Sequence, residues 1–141
     1  MAYKGYLIKI LDSNYGDYEI DPGKYIQADS YLPYISVLDL DSTRNALGEL
    51  IRNPLDHTPA KIDFTTPPSM TNTDYALFMS EIRKRYVIAK ERKCKVNFYV
   101  PELDDYETQY MYMPDPQPKI YRISEKNIIY YESIRIAFIG Y

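Results

Sequence analysis

The 141-residue sequence predicts one mainly β domain of the α+β class, a β-sandwich or split barrel of antiparallel strands with one flanking helix and a long inter-strand loop. Three observations lead to this prediction. Several short segments alternate apolar and polar residues, only one segment has helical periodicity, and the connections between the later strands are short. Short connections favour antiparallel neighbours, and a chain of this length supports one core. We therefore expect residues 1–141 to form a single domain.

The first predicted strand covers residues 4–11, where Tyr6, Ile8 and Ile10 alternate with their neighbours along the chain. This period of two places the three side chains on one face, which we expect to be buried. The next strand outside the irregular segment that follows is predicted at residues 61–65. A long connection therefore separates the first two strands.

That connection, residues 11–60, is the least regular part of the sequence. Asp21-Pro22-Gly23 and later prolines exclude a long helix, and only residues 34–40 are predicted to form a strand. A loop this long is uncommon in a compact domain and is usually functional or disordered. Its many tyrosine, isoleucine and leucine residues need a partner surface. We expect residues 11–60 to be an extended assembly arm that packs on the domain's own flank or on a neighbouring subunit.

The helix is predicted to begin after Thr71. Thr71 and Asp74 have the spacing of an N-terminal capping box, in which the threonine side chain accepts a hydrogen bond from a main-chain N–H of the first turn. Spacings of three and four then build one apolar stripe. The residues of this stripe are Tyr75, Phe78, Met79, Ile82 and Tyr86.

After the helix the period changes to two, which predicts a run of strands. These strands cover residues 95–100, 106–113, 120–123, 128–132 and 134–139. In the second of them Tyr106, Tyr110 and Tyr112 lie on one face, and we interpret them as core or subunit-contact residues. The proline-rich segment 114–118 then forces a turn.

Composition and charge exclude several functions. The chain carries 17 tyrosines, a net charge of -3 and one cysteine, Cys94. An acidic chain is a poor ligand for nucleic-acid phosphates, and Arg83-Lys84-Arg85 is interpreted as the solvated end of the helix. One cysteine forms no intrachain disulfide, which suits synthesis in a reducing cytoplasm. No apolar stretch is long enough for a membrane span or a signal peptide, so we expect no membrane partner.

The order of elements, together with four short motifs, resembles a family of short bacteriophage and prophage tail proteins over nearly the whole chain. The motifs are Tyr6-Leu7-Ile8-Lys9-Ile10, Asp41-Ser42-x-Arg44-Asn45-Ala46-x-Gly48-x-Leu50-x-Arg52, Lys61-Ile62-x-Phe64 and Tyr112-Met113-Pro114-Asp115-Pro116. The resemblance implies a tail-tube-like fold whose long loop reaches the next ring.

The resemblance also implies a function. The protein would be a structural component of the virion, forming a ring in the tail tube, a tube initiator or adaptor, or the distal tail and baseplate. Its partners would be further copies of itself and other tail proteins, with DNA passing transiently through a lumen. On this interpretation it is not an enzyme, and it has no small-molecule substrate, no cofactor and no catalytic, cofactor-binding or metal-binding residues.

One enzymatic alternative rests on Asp39 and Asp41. An apolar strand followed by Asp-x-Asp resembles phosphatases of the haloacid dehalogenase class, in which the first aspartate is the nucleophile and the second a general acid. Paired carboxylates also bind Mg²⁺. That class needs a parallel sheet with crossover helices, however, and this sequence predicts one helix.

The remaining candidates involve isolated residues. His57 is interpreted as a loop residue. Cys94 lies among cations that could lower its thiol pKa, but as a strand-edge thiol with no partner base it is interpreted as inert. The tyrosines of residues 106–112 could stack on bases or sugars. A further alternative is a receptor- or carbohydrate-binding tail tip, with Ca²⁺ bound where Glu102, Asp104 and Asp105 adjoin Tyr106.

Overall fold

The computed structural model describes residues 3–35, 39–44, 48, 50–54 and 60–141, and for residues 35, 39–44 and 50–54 it describes the backbone alone. The strands are β1 (Ile8–Leu11), β2 (Tyr18–Glu19), β3 (Leu32–Ile35), β4 (Asp39–Arg44), β5 (Leu50–Pro54), β6 (Ala60–Thr65), β7 (Met70–Thr71), β8 (Lys93–Val100), β9 (Asp105–Tyr112), β10 (Ile120–Ile123), β11 (Ile129–Tyr131) and β12 (Arg135–Gly140). One α-helix, α1 (Asn72–Arg83), is present in these residues, together with short 3-10 turns at Ala28–Ser30 and Ala89–Glu91.

The strands form three antiparallel sheets. The largest has seven strands in the order β2-β1-β8-β9-β12-β6-β3, and the second has the order β10-β11-β7. Strands β4 and β5 pair with each other as a separate hairpin. The prediction of a mainly β, antiparallel α+β fold with one helix is therefore confirmed.

Helix α1 begins and packs as the sequence predicts. The Thr71 side chain accepts a hydrogen bond from the Asp74 main-chain N–H at 3.3 Å, which satisfies one of the unpaired donors of the first turn. Phe78, Met79 and Ile82 are buried, so the apolar stripe faces the sheet. Within the described residues, no helix is long and apolar enough to cross a membrane.

The core lies on one face of the seven-stranded sheet. Strand β8 illustrates the alternation, because Cys94 and Val96 are buried whereas Lys95 between them is exposed. The fully buried large side chains come from five strands, α1 and the segments that flank them. They are Phe64, Phe78, Phe98, Phe138, Ile8, Ile10, Ile20, Ile26, Ile62, Ile82, Met111 and Met113.

Residues 11–35 of the predicted arm pack on the domain itself, which is the first of the two surfaces expected for the arm. Ile20, Tyr25 and Ile26 are buried in the core, and β2 and β3 complete the two ends of the large sheet. The strand predicted at residues 34–40 is divided between the end of β3 and the start of β4, and residues 36–38 lie outside the described part. The hairpin β4–β5 is the part of the predicted arm that pairs with no other described strand.

The three residues of the basic cluster 83–85 differ in their exposure to solvent. Arg83 and Lys84 are exposed, as predicted for a solvated helix end, but Arg85 is 6% exposed. Its guanidinium group turns towards the loop that follows β1 and takes part in the packing of the domain. The interpretation of Arg85 as a solvated cation is therefore wrong.

Candidate assembly surface

Strand β10 is exposed on both of its faces. Ile120, Tyr121 and Ile123 are 53%, 64% and 63% exposed, and Arg122 between them is exposed as well. One edge of β10 pairs with β11, and among the described residues no strand pairs with the other edge. An apolar strand with unpaired main-chain groups is a template for a strand from another chain.

A tight hairpin holds β10 in this position. The Ser124 N–H donates to the Ile128 oxygen at 2.9 Å, and the Ser124 hydroxyl accepts hydrogen bonds from the N–H groups of Lys126 and Ile128. Asn127 adopts a left-handed conformation with φ 62°, which asparagine tolerates better than most residues. The exposed edge is thus preformed.

The three-stranded sheet is anchored on the start of α1. Strand β11 pairs with β7, which places Tyr130 opposite Thr71 and Tyr131 opposite Met70. The Asn72 side-chain oxygen also accepts a hydrogen bond from the Ile129 N–H at 3.3 Å. The exposed edge of β10 is therefore connected to the domain through two strands and a helix terminus.

An open cleft of about 600 Å³ lies between α1, β11 and the loop that follows β9, and we call it the α1 cleft. Its lining includes Tyr75, Met79, Arg83, Tyr86, Arg92 and Tyr131. The rings of Tyr75 and Tyr131 lie 5.3 Å apart, and Arg92 forms an ion pair with Asp115 at 2.6 Å on the rim. The cleft thus combines aromatic walls with two guanidinium groups.

Tyr86 contributes a buried polar atom beside this cleft. Its hydroxyl oxygen is inaccessible to solvent and has no hydrogen-bond partner within the described structure. Burial is the main cause that raises the pKa of Tyr86, and it raises the pKa of Tyr75 in the same way. Both tyrosines are therefore neutral, with hydroxyl groups that remain hydrogen-bond donors at physiological pH.

The hairpin β4–β5 contains the residues of the phosphatase alternative. Asp39 lies opposite Pro54, and the register continues from Ser42 and Arg52 to Arg44 and Leu50. The side chains of Asp39 and Asp41 lie outside the described part. All described strand pairs are antiparallel, so the parallel-sheet context that a haloacid dehalogenase site requires is absent from the described residues.

The tyrosines of β9 line the outer face of the large sheet, as their alternation predicts. Tyr110 is 46% exposed, and the register places Lys95 opposite it and Lys93 opposite Tyr112. The ammonium groups of Lys93 and Lys95 lie 5.1 and 5.9 Å from the centre of the Tyr110 ring. Sequence reasoning missed these cations because a neighbouring strand supplies them, and only the strand register could have revealed them.

The acidic turn proposed for Ca²⁺ has other partners. An Asp104 carboxylate oxygen accepts a hydrogen bond from the Tyr99 hydroxyl at 2.6 Å, and this bond is the main cause that raises the pKa of Tyr99. Asp105 accepts a hydrogen bond from the Tyr106 N–H at 2.8 Å. In the part of the chain that the structure describes, no three metal-binding side chains are grouped together.

The two remaining candidate residues are Cys94 and His57. Cys94 points into the core from β8, and burial raises the pKa of its thiol to about 12. The neighbouring cations do not offset this desolvation, since Lys93 and Lys95 project from the opposite face of the strand. The alternative of a thiol pKa lowered by these cations is therefore wrong, and the interpretation of Cys94 as an inert thiol stays a prediction. His57 lies outside the described residues.

Comparison with known proteins identifies a family. Residues 1–141 match the family described as "Family of unknown function (DUF6711)", and the chain belongs to this family. Neither a curated protein nor a solved structure matches the chain significantly. The family description names no activity.

Proposed function

We propose that this DUF6711 family member is a structural subunit of a bacteriophage or prophage tail that assembles with further copies of itself into a ring. The observation that carries the assembly proposal is the exposed edge of β10. The sequence motifs that resemble tail proteins supply the tail assignment, with a place in the tube, its initiator or adaptor, or the distal tail of the virion.

The edge of β10 is suited to strand addition. A second strand would pair with its main-chain groups, while Ile120, Tyr121 and Ile123 would pack against the side chains of the incoming chain. Soluble proteins commonly protect a free edge with charged residues, prolines or bulges, whereas β10 has one charged residue among four. Covering this strand with a second copy removes three large apolar side chains from water.

The hairpin β4–β5 supports the same proposal. Its strands pair with each other and with no other described strand. An isolated two-stranded hairpin is marginally stable in water, so a surface of a neighbouring copy would stabilise it. A hairpin on one copy and a free edge on the next would make a heterologous contact, which closes into a ring when the rotation between copies is suitable.

The assembly proposal is tested by measuring the mass of the purified protein across a concentration range and imaging the same samples by negative-stain electron microscopy. We expect rings or short tubes from the natural sequence. Ile123→Lys places a charge on the free edge and should leave a folded monomer at concentrations where the natural sequence assembles. Leu77→Lys is the matched control, because Leu77 is 52% exposed on α1, and it should assemble normally.

The tail assignment needs a separate measurement. Antibodies against the purified protein, visualised with gold on intact phage particles induced from the encoding strain, should label tails. Labelling of capsids, or of no particle, would contradict a tail component even if the protein forms rings.

A second candidate is a carbohydrate-binding tail-tip module, which the exposed Tyr110 ring between Lys93 and Lys95 favours. A tyrosine face can stack on a sugar ring while adjacent ammonium groups donate hydrogen bonds to its hydroxyls. Binding to host-wall glycans that is lost in Tyr110→Ala and retained in Tyr15→Ala, a change at another exposed tyrosine, would support this candidate. Equal binding by both variants would oppose it.

A further inference from the structure

We infer that the turn between β8 and β9 in one copy, residues 101–104, docks into the α1 cleft of the next copy. This inference rests on the proposed function, since it identifies a contact through which copies would join. The turn supplies one apolar side chain between acidic residues, and the cleft supplies apolar walls between basic residues.

The β8–β9 turn is exposed and is ordered by main-chain hydrogen bonds. Leu103 at its tip is 63% exposed, with Glu102 and Asp104 on either side. The Leu103 N–H donates to the Val100 oxygen at 3.1 Å, and the Asp104 N–H donates to the Pro101 oxygen at 3.2 Å. Because these bonds and the Tyr99 hydroxyl already order the turn, its docking would cost little conformational entropy.

The α1 cleft is complementary to this turn. Met79 and Ile129 line the cleft together with the rings of Tyr75 and Tyr131, and this apolar lining suits a leucine side chain. Arg83 forms no ion pair with a described residue, and Arg92 is held at the rim by Asp115. The two guanidinium groups outnumber the one carboxylate of the lining, Asp115, so the net positive charge of the cleft attracts an acidic turn and orients it as it approaches.

The positions of the turn and the cleft make the contact intermolecular. Arg92 of the cleft immediately precedes β8, and the turn immediately follows β8. The 8 residues of β8 therefore separate Arg92 from the turn. An extended strand rises about 3.3 Å per residue, so the two features are separated by roughly 26 Å. The turn of one copy is therefore remote from the cleft of the same copy. In a head-to-tail contact, the turn of one copy fills the cleft of the next.

The cleft is continuous with the edge of β10. Tyr131 lines the α1 cleft and also the neighbouring depression beside Tyr121 of β10. A single turn buries less than the roughly 1,000 Å² that a stable protein–protein interface needs. The docked turn would therefore fix the register between copies, while strand addition at β10 would supply most of the buried area.

Disulfide trapping tests the contact directly. Leu103→Cys and Ala76→Cys are prepared as separate proteins and mixed under mild oxidation, because Ala76 lines the cleft. We expect a cross-linked dimer in the mixture at a yield at least about tenfold above that of Leu103→Cys mixed with Leu77→Cys. Leu77 is the neighbouring exposed residue and does not line the cleft, so it is the matched control. Equal yields from the two mixtures would overturn the inference.

Charge reversal tests the electrostatic part. Arg83→Glu should abolish cross-linking to the turn, and combining it with Glu102→Arg on the partner should restore it. Circular dichroism and thermal melting of each variant establish that it is folded before it is compared. Cross-linking that is unaffected by Arg83→Glu, or that is lost without rescue by the reversed pair, would contradict this arrangement.

These outcomes separate the inference from the proposed function. If the natural sequence forms rings while cleft-specific cross-links are absent, the subunit proposal stands and the turn-in-cleft contact is rejected. If the natural sequence stays monomeric at every concentration and no cleft-specific cross-link forms, both are rejected. Rings together with cleft-specific cross-links support both.

Discussion

Arg85 donates a hydrogen bond from its Nε to the main-chain oxygen of Gly16 at 2.8 Å, which fastens the segment after α1 to the loop that follows β1. A terminal nitrogen of the same guanidinium donates to the Glu81 main-chain oxygen at 2.7 Å and to its carboxylate at 2.9 Å. The other donates to the Tyr15 oxygen at 3.3 Å, and the group lies 5.2 Å from the Tyr18 ring. One buried cation thus joins the helix to the first strand pair.

Replacing Arg85 should be the most destabilising change to a charged residue among the described residues. Arg85→Ala leaves main-chain oxygens without donors and removes a side chain that is 6% exposed, so we expect the free energy of unfolding to fall by about 3 kcal/mol. Urea denaturation measures this difference. Lys84→Ala is the matched control, since Lys84 is exposed and its ion pair with Glu81 should contribute less than about 1 kcal/mol. Equal losses in the two variants would contradict the role assigned to Arg85.

The same contact predicts how the Glu81 carboxylate titrates. Hydrogen bonds from Arg85 first, and from Lys84 second, hold the pKa of Glu81 below its ordinary value of 4.5. The ionised carboxylate therefore stabilises the fold above pH 4.5, and this contribution is lost as the pH falls through the lowered pKa. Carbon-13 NMR titration should place the Glu81 pKa closer to 4.5 in Arg85→Gln than in the natural sequence. An unchanged titration would show that another group sets this pKa.

Features with local causes could be predicted from the sequence. The Thr71 cap and the buried stripe of α1 depend on residues within a few positions of one another, and the tyrosine face of β9 depends on a period of two. The prolines of residues 11–60 favoured a loop but did not reveal that Ile20 and Ile26 enter the core. Their burial depends on pairing with β1 and on contacts that a local pattern does not encode.

The candidate site was less predictable for the same reason. The exposure of β10 follows from how β10, β11 and β7 pair, and the alternation of residues 120–123 is compatible with a buried or an exposed strand. Arg85 looked solvated because its oxygen acceptors at Tyr15 and Gly16 are about 70 positions away in the chain. Register and long-range pairing, rather than composition, decided these features.

Gly140 occupies a position that has no space for a side chain. A Cβ atom there would lie 2.8 Å from the Gln109 side-chain oxygen and 2.9 Å from both the nitrogen and the oxygen of Ala60. The Gln109 oxygen cannot simply turn away, because it accepts the Ala60 N–H at 3.0 Å. This glycine allows β12 to pass between β9 and β6.

Gly140→Ala should therefore lower the free energy of unfolding by about 1–3 kcal/mol, because β12 must shift away from Ala60. Thermal or urea denaturation measures the loss. Gly23→Ala is the control, since its added Cβ would meet one Asp21 oxygen at 3.6 Å, an ordinary contact, and stability should change by less than about 1 kcal/mol. A Gly140→Ala protein as stable as Gly23→Ala would contradict the close packing at β12.

Cys94 should be unreactive in the native protein despite the basic residues beside it in the sequence. Its side chain is inaccessible to solvent, and burial raises the pKa of the thiol to about 12, so little thiolate is present at pH 8. We expect iodoacetamide labelling, followed by mass spectrometry, to be slow in buffer and rapid in denaturing urea. Ser80→Cys in a Cys94→Ala background places one thiol at an exposed helix position and should react rapidly in both conditions. Rapid native labelling of Cys94 at the rate of that control would mean that β8 opens easily, because a thiol in the closed core reacts only when the strand separates from its neighbours.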